Sequence, residues 1–209
     1  MPPPPGDQLL AGVENLLDWI NHPPDIPTVV RAAMAHYQFE TLHPFSDGNG
    51  RLGRLLVIVQ LLRGAVIREP LLVVSPWFEQ RRVEYQDRLF EQSRTGAWDQ
   101  WVGFFAAGVA ASAEESRVKV ERLVELQDVL RRRVQHAGRR GKAEQVAADL
   151  IGNPYVTIPD VRRRYGLSRQ GALNIVRTLQ QIGVLRPAPF AAANGAQFYV
   201  SSEVLEATS

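Results

Sequence analysis

The sequence predicts a mainly α protein built in two modules, and three observations carry that prediction. Apolar residues recur at helical spacing through most of the first 135 positions. Only two short stretches, Val184 to Arg186 and Gln197 to Val200, read as strands. The charge is also unevenly placed. The chain as a whole is +2 at pH 7, yet residues 1–116 carry about −5 and residues 117–186 about +9, an asymmetry that marks parts with different partners. With 209 residues, 45% of them apolar, there is material for two cores. The expected division is a helical core over residues 1–115, a connecting helix and linker over 116–142, and a smaller module over 143–209.

Taken in order, Pro2 to Pro5 should be extended, because proline fixes its own backbone and disfavours helix in the residue before it. A first helix covers Leu9 to Ile20, with Leu9, Val13, Leu16, Leu17 and Ile20 as its apolar face, and Asn21-His22-Pro23-Pro24 ends it. A second runs from Thr28 to about Thr41, with Val29, Ala32, Ala33, His36, Tyr37 and Glu40 at helical spacing. A third starts near Asn49 and stops at Arg63-Gly64. Its Leu52, Leu55, Leu56, Val59 and Leu62, with Val57, Ile58 and Leu61, leave little polar surface, so it should be buried nearly all round. Ser75-Pro76 reads as an N-cap and first helical position for a helix over Trp77 to Gln92. Thr95-Gly96 breaks the chain, and Trp98 to about Gln135 is helical again. Its first part (Trp101, Phe104, Phe105, Val109) should pack on the core and its later part should be more exposed. Gln135 to Gly141 is the expected linker.

Beyond the linker come a short helix over Glu144 to Ile151, a capping box at Thr157 to Asp160 opening a second helix, and a turn with N-cap at Gly166-Leu167-Ser168 before a third, Arg169 to Ile182. The two strands then flank a loop holding Asn194-Gly195. Three helices, a tight turn and a hairpin resemble a winged helix-turn-helix with a small β-hairpin, over about residues 143–202. Ala172, Ile175, Val176, Leu179 and Ile182 form the apolar stripe of the third helix. Arg169, Gln170, Asn174 and Arg177 lie on other faces and are of types that read base edges, while Arg162-Arg163-Arg164 can touch phosphates. The alternative is a solvated charge run on a module that binds protein or packs on the core.

Composition excludes several classes. There is no cysteine, hence no disulfide scaffold and no cysteine zinc site. The longest apolar run, Leu55 to Leu62, is too short to span a membrane. Met1 to Pro5 has neither the basic nor the apolar region of a secretory signal, so a soluble cytoplasmic protein is the default expectation.

The functional signal is His43-Pro44-Phe45-Ser46-Asp47-Gly48-Asn49-Gly50-Arg51-Leu52-Gly53-Arg54, a loop between two helices. Glycines there let backbone N–H groups turn toward an anion, and the following helix N-terminus adds its partial positive charge. The stretch resembles the signature of the Fic family, HPFx(D/E)GNGRxxR, and matches every specified position. Ala35 to Glu40 and Ser75 to Tyr85 are similar to the family's flanking helices, so the resemblance covers about residues 1–115. It implies a Fic-type helical core that transfers AMP from ATP to a Ser, Thr or Tyr hydroxyl of a target protein, releasing pyrophosphate.

The residues suit that chemistry. A hydroxyl is a weak nucleophile, and His43 is the natural general base. Asp47 offers the hard oxygen that phosphate-bound Mg²⁺ prefers. Gly48, Asn49 and Gly50 would supply N–H groups to phosphates, with an α-phosphate contact from the Asn49 side chain implied by the family. Arg51 and Arg54, three apart, share a face and can neutralise the leaving pyrophosphate. Phe45 should be buried to anchor the loop. Tyr85 matches a family position near the nucleotide base, or serves as a packing tyrosine. Gly50 followed by arginine favours nucleotidyl transfer over the phosphoryl-transferring Doc branch, which is similar but has lysine there. The rivals are a DNA-binding regulator with a nucleotide-sensing Fic part, and a Fic enzyme of other chemistry, including removal of AMP; a homodimer is also compatible. Many family members carry an inhibitory helix, (S/T)xxxE(G/N), whose glutamate pairs with the second motif arginine, and that pattern is not found. The family's upstream β-hairpin flap would end where this chain begins, so a missing natural N-terminus is expected. Arg54 is then expected to lack an internal carboxylate partner.

Overall fold

The structure is a computed structural model that describes residues 6–193 and 195–208. Pro2 to Pro5 and Asn194 lie outside the described residues. Two compact units divide at Ser116/Arg117. The described elements are mainly α-helical, with one small antiparallel sheet. Among the described residues no helix is long and apolar enough to cross a membrane.

In the first unit, α1 (Gly6–Asn21), α2 (Thr28–Leu42) and α3 (Asn49–Arg63) are followed by α4 (Ser75–Gln80), α5 (Arg82–Thr95) and the first part of α6 (Trp98–His136). The core gathers Ala32 and Ala33 of α2, Val57 and Leu61 of α3, Phe78 of α4, and Trp101, Phe104 and Phe105 of α6. Alanines on α2 let the Trp101 ring lie close, and its Nε1–H donates to the Ala33 carbonyl at 2.8 Å, so the buried indole leaves no orphaned donor. A smaller cluster of Leu16, Ala35 and Leu42 ties α1 to α2. Leu17, expected on the buried face of α1, is 52% exposed, being displaced from the 9–13–16–20 row by one residue.

Two expectations need correction. The α3 helix is not buried all round: Gly53, Val57, Gln60 and Leu61 face inward, while Leu52, Leu55 and Val59 are 41%, 56% and 40% exposed. The single helix expected over Trp77 to Gln92 is two, separated at Arg81 (φ −111°, ψ 31°), whose guanidinium lies 4.5 Å over the Trp77 ring, a cation–π contact made at the break. Val74 takes the N-cap position and Ser75 is already helical, with Pro76 still in the first turn, where its missing N–H costs nothing.

The second unit holds the rest of α6, then α7 (Lys142–Asp149), β1 (Tyr155–Thr157), α8 (Ile158–Tyr165), α9 (Arg169–Gln181), β2 (Arg186–Ala191), β3 (Gln197–Val200) and α10 (Ser202–Thr208). The later part of α6 is not merely a connector. Leu130 and Val134 are fully buried in this unit's core, with Val146, Leu150, Val161, Val176, Leu179 and Val204. The Thr157 hydroxyl accepts from the Asp160 N–H at 3.2 Å and the Ser168 hydroxyl from the Gly171 N–H at 3.1 Å, the expected N-caps. The sheet runs β1-β3-β2, with Tyr155 opposite Val200 and Arg186 opposite the same residue on the other side. The first strand and α10 were not anticipated. Val184 and Leu185, expected to begin a strand, precede β2 and are buried in the core. On α9, Ala172, Val176 and Leu179 are buried, whereas Arg169, Gln170, Asn174 and Arg177 are exposed.

Candidate active site

The signature lies where α2 hands over to α3. His43 is the C-cap of α2, in the left-handed region (φ 47°, ψ 56°), and its N–H donates to the Phe39 carbonyl at 3.0 Å. A non-glycine residue held there is uncommon and sets where the ring leaves the chain. The residue is exposed and lines a cleft of about 390 Å³ with Glu40, Thr41, Tyr85, Leu89, Phe90 and Ser93.

The loop's anchor is Asn49, not Phe45. Asn49 is 2% exposed; its Oδ1 accepts from the Phe45 N–H at 3.0 Å and its Nδ2 donates to the Phe45 carbonyl at 2.5 Å. The amide therefore ties the loop to the start of α3, whereas the resemblance implied an α-phosphate contact from it. Phe45 is 50% exposed, because the polar clamp beneath it already closes the loop. Gly48 is the α3 N-cap at φ 87°, a backbone region that costs other residues strain. The N–H groups of the first turn of α3, Gly50 among them, have no acceptor within the helix and remain for an anion.

Asp47 and Arg51 face solvent together. The Asp47 Oδ1 accepts from the Gly48 N–H at 2.7 Å, and Oδ2 accepts from Arg51 at 3.2 Å, with the two side chains 91% and 76% exposed. Among the described residues no group of three His, Cys, Asp or Glu side chains could hold a metal. A single carboxylate fits an ion that arrives with phosphates and keeps most of its own waters.

Arg54 departs from its expectation: it does have an internal carboxylate partner. Its side chain is 22% exposed, and the guanidinium donates to Glu79 of α4 at 3.3 Å. Glu79 follows Ser75 by four residues, the Ser-x-x-x-Glu spacing of the inhibitory pattern, but Gln80 stands where that pattern has Gly or Asn. Arg54 and Glu79 line a second cleft of about 380 Å³ with His36, Phe78, Arg82, Tyr85 and Gln86.

Tyr85 and Gln86 line both clefts. The Tyr85 hydroxyl shares a hydrogen bond of 2.9 Å with His36 Nε2, and its ring packs at 5.6 Å from Phe78 and 5.8 Å from Trp101. Burial, then the Glu40 charge, push the phenol far above its usual range. His36 is 1% exposed, and desolvation pulls its pKa down to about 4, against the Gly53 backbone, so the ring is neutral. The sequence pattern singled out His36 and Glu40, without a role in the site, and did not single out Glu79. The first two are four apart on α2, so they share a face; the third needs an ion pair across 25 residues that no local pattern reveals.

Residues 1–61 match the Fic/DOC family. Over 65 residues, 30% of the chain, it is 43% identical to a protein adenylyltransferase Fic from Drosophila willistoni. Over 96 residues, 43% of the chain, it is 38% identical to one from Aedes aegypti. The matched parts amount to 13% and 17% of those proteins. A crystal structure of a Fic family protein from Desulfovibrio desulfuricans G20 superposes with a TM-score of 0.50 over 95% of this chain and 56% of that one, at 22% identity, a likeness that speaks for the fold alone. The likeness to the Fic/DOC family is thus carried by residues 1–61, which hold the whole signature from His43 to Arg54.

Proposed function

We propose that the first unit is a protein adenylyltransferase, moving AMP from ATP to a hydroxyl of a target protein with release of pyrophosphate. The observation that carries this reading is the division of labour along one helix junction. His43 stands free in one cleft, Arg54 lines the next, and the first turn of α3 offers its N–H groups between them in sequence. Leu89 and Phe90 give the His43 cleft an apolar wall suited to a purine.

In the step proposed, the acceptor oxygen forms a bond to the α-phosphorus and its proton passes to His43. The bond from that phosphorus to the bridging oxygen breaks, and the electron pair leaves with pyrophosphate. Such a base contributes roughly 10²–10⁴-fold. Arg51 and Arg54 offset the charge that grows on the leaving group, once Arg54 has parted from Glu79. Asp47 would hold a phosphate-bound Mg²⁺, which when present adds positive charge at the phosphates. The test is transfer of α-phosphate label from ATP to protein by the wild type and by His43→Ala.

A second role belongs to the second unit. The exposed Arg169, Gln170, Asn174 and Arg177 on α9, in the more basic half of the chain, favour contact with DNA by a winged helix. A mobility shift that disappears at high salt supports this; its absence at low salt rules it out.

A further inference from the structure

Glu40 is an ionisable group of the site to which the proposed reaction gives no task. It lies half-buried on α2, and its Oε1 is closed off from solvent yet has no hydrogen-bond partner among the described residues. A β-carbon on Gly53 would stand 2.6 Å from that oxygen and 3.0 Å from the His36 ring, so the carboxylate occupies space that only a glycine leaves open. A carboxylate in such a place is costly, and burial does push its pKa up. Positive charge opposes that push, on His43 when it holds a proton and on Arg54 at all times. Glu40 also lines the same cleft as His43. His36 beside it is neutral, and although its Nε2 bonds Tyr85, its buried Nδ1 makes no hydrogen bond to the carboxylate.

We propose that Glu40 is a positioning residue for transfer: its unpaired carboxylate stabilises His43 in the protonated form that arises when the acceptor hydroxyl gives up its proton. This inference rests on the adenylyl-transfer reading and on His43 as the base. The negative charge matters only once the proton has moved. In the ground state the same charge is a burden on the fold, and it would repel the negative charge that a nucleotide brings to the cleft. Removing the charge while keeping the shape should therefore slow turnover, leave nucleotide binding no weaker, and leave the fold no less stable. A purely structural role would lose stability and activity together.

The experiment compares wild type, Glu40→Gln, Glu40→Asp and His43→Ala. Each is given Mg-ATP labelled at the α-phosphate and the same cell extract as a source of protein hydroxyls, with Kd for Mg-ATP from calorimetry and Tm from tryptophan fluorescence. Glu40→Gln should cut the saturated rate about tenfold or more, with Kd unchanged or tighter and Tm unchanged or higher, and Glu40→Asp should recover part of the rate. The proposal is overturned if Glu40→Gln keeps the rate within twofold of wild type, or if its rate falls together with Tm. His43→Ala separates the two ideas: if it retains transfer, the reading of the base itself fails. If it abolishes transfer while Glu40→Gln does not slow it, only the role of Glu40 fails.

Discussion

Acidification should destabilise the first unit through His36. The ring is 1% exposed and is held neutral, with a pKa of about 4 against 6.5 for an ordinary histidine. Between those values the unfolded chain binds a proton that the folded chain refuses. The stabilisation is thus fully present above pH 6.5, and it is lost as the pH falls toward 4. The gap corresponds to about 3 kcal/mol, a large share of the 5–15 kcal/mol typical of a domain. All four tryptophans, Trp19, Trp77, Trp98 and Trp101, lie in the first unit, so their fluorescence in urea reports that unit alone. Glu40 works in the opposite direction, since its burial penalty is relieved as it gains a proton. The His36→Gln variant removes the one contribution and retains the other. Wild type should lose about 3 kcal/mol more than His36→Gln between pH 7.5 and pH 4, whatever the variant's lower starting stability. A difference below about 1 kcal/mol would show that His36 accepts a proton in the folded unit and would refute the reasoning.

Two further outcomes follow from the geometry. Replacing Glu79 by Gln should tighten Mg-ATP binding two- to fivefold by calorimetry. The Arg54–Glu79 pair is single-contact with Glu79 65% exposed, and such pairs are worth about 0–1 kcal/mol; weaker binding would mean that Glu79 helps hold the nucleotide. A chain ending at Ser116 should keep a cooperative tryptophan transition. One ending at Lys142 should aggregate, because Leu123, Leu126, Leu130 and Val134 would be stripped of the core they pack in.

Most of the helices were legible because their apolar residues recur every three or four positions and their ends carry glycine, proline or a hydroxyl cap. The inward face of α3 was not, since Leu52, Leu55, Val57, Ile58 and Val59 offer no polar side by which to orient the helix. The α4–α5 break was hidden because Arg81 and Arg82 are good helix residues, and the contact of Arg81 with Trp77 is tertiary. β1 is three residues long and is held mainly by its partner β3. Within the site, the loop sequence pointed to His43, Asp47 and the arginines. It did not show that Asn49 closes the loop through both of its amide atoms, nor that Gly53 makes room for Glu40 and His36. The first depends on the folded loop and the second on contact between helices, and a glycine's missing β-carbon acquires meaning only when its neighbours are known.

The most direct measurement compares label from ATP carrying radiolabel at the α- or the γ-phosphate, added to a cell extract with wild type or His43→Ala. Calorimetry of Mg-ATP binding is run beside it. Wild type should mark protein with the α-label and release the γ-label in pyrophosphate. His43→Ala should keep its affinity for Mg-ATP and lose at least nine-tenths of the transfer, about the smallest loss compatible with a general base. Label from the γ-phosphate on protein, or transfer by His43→Ala at the wild-type rate, would contradict adenylyl transfer with His43 as the base.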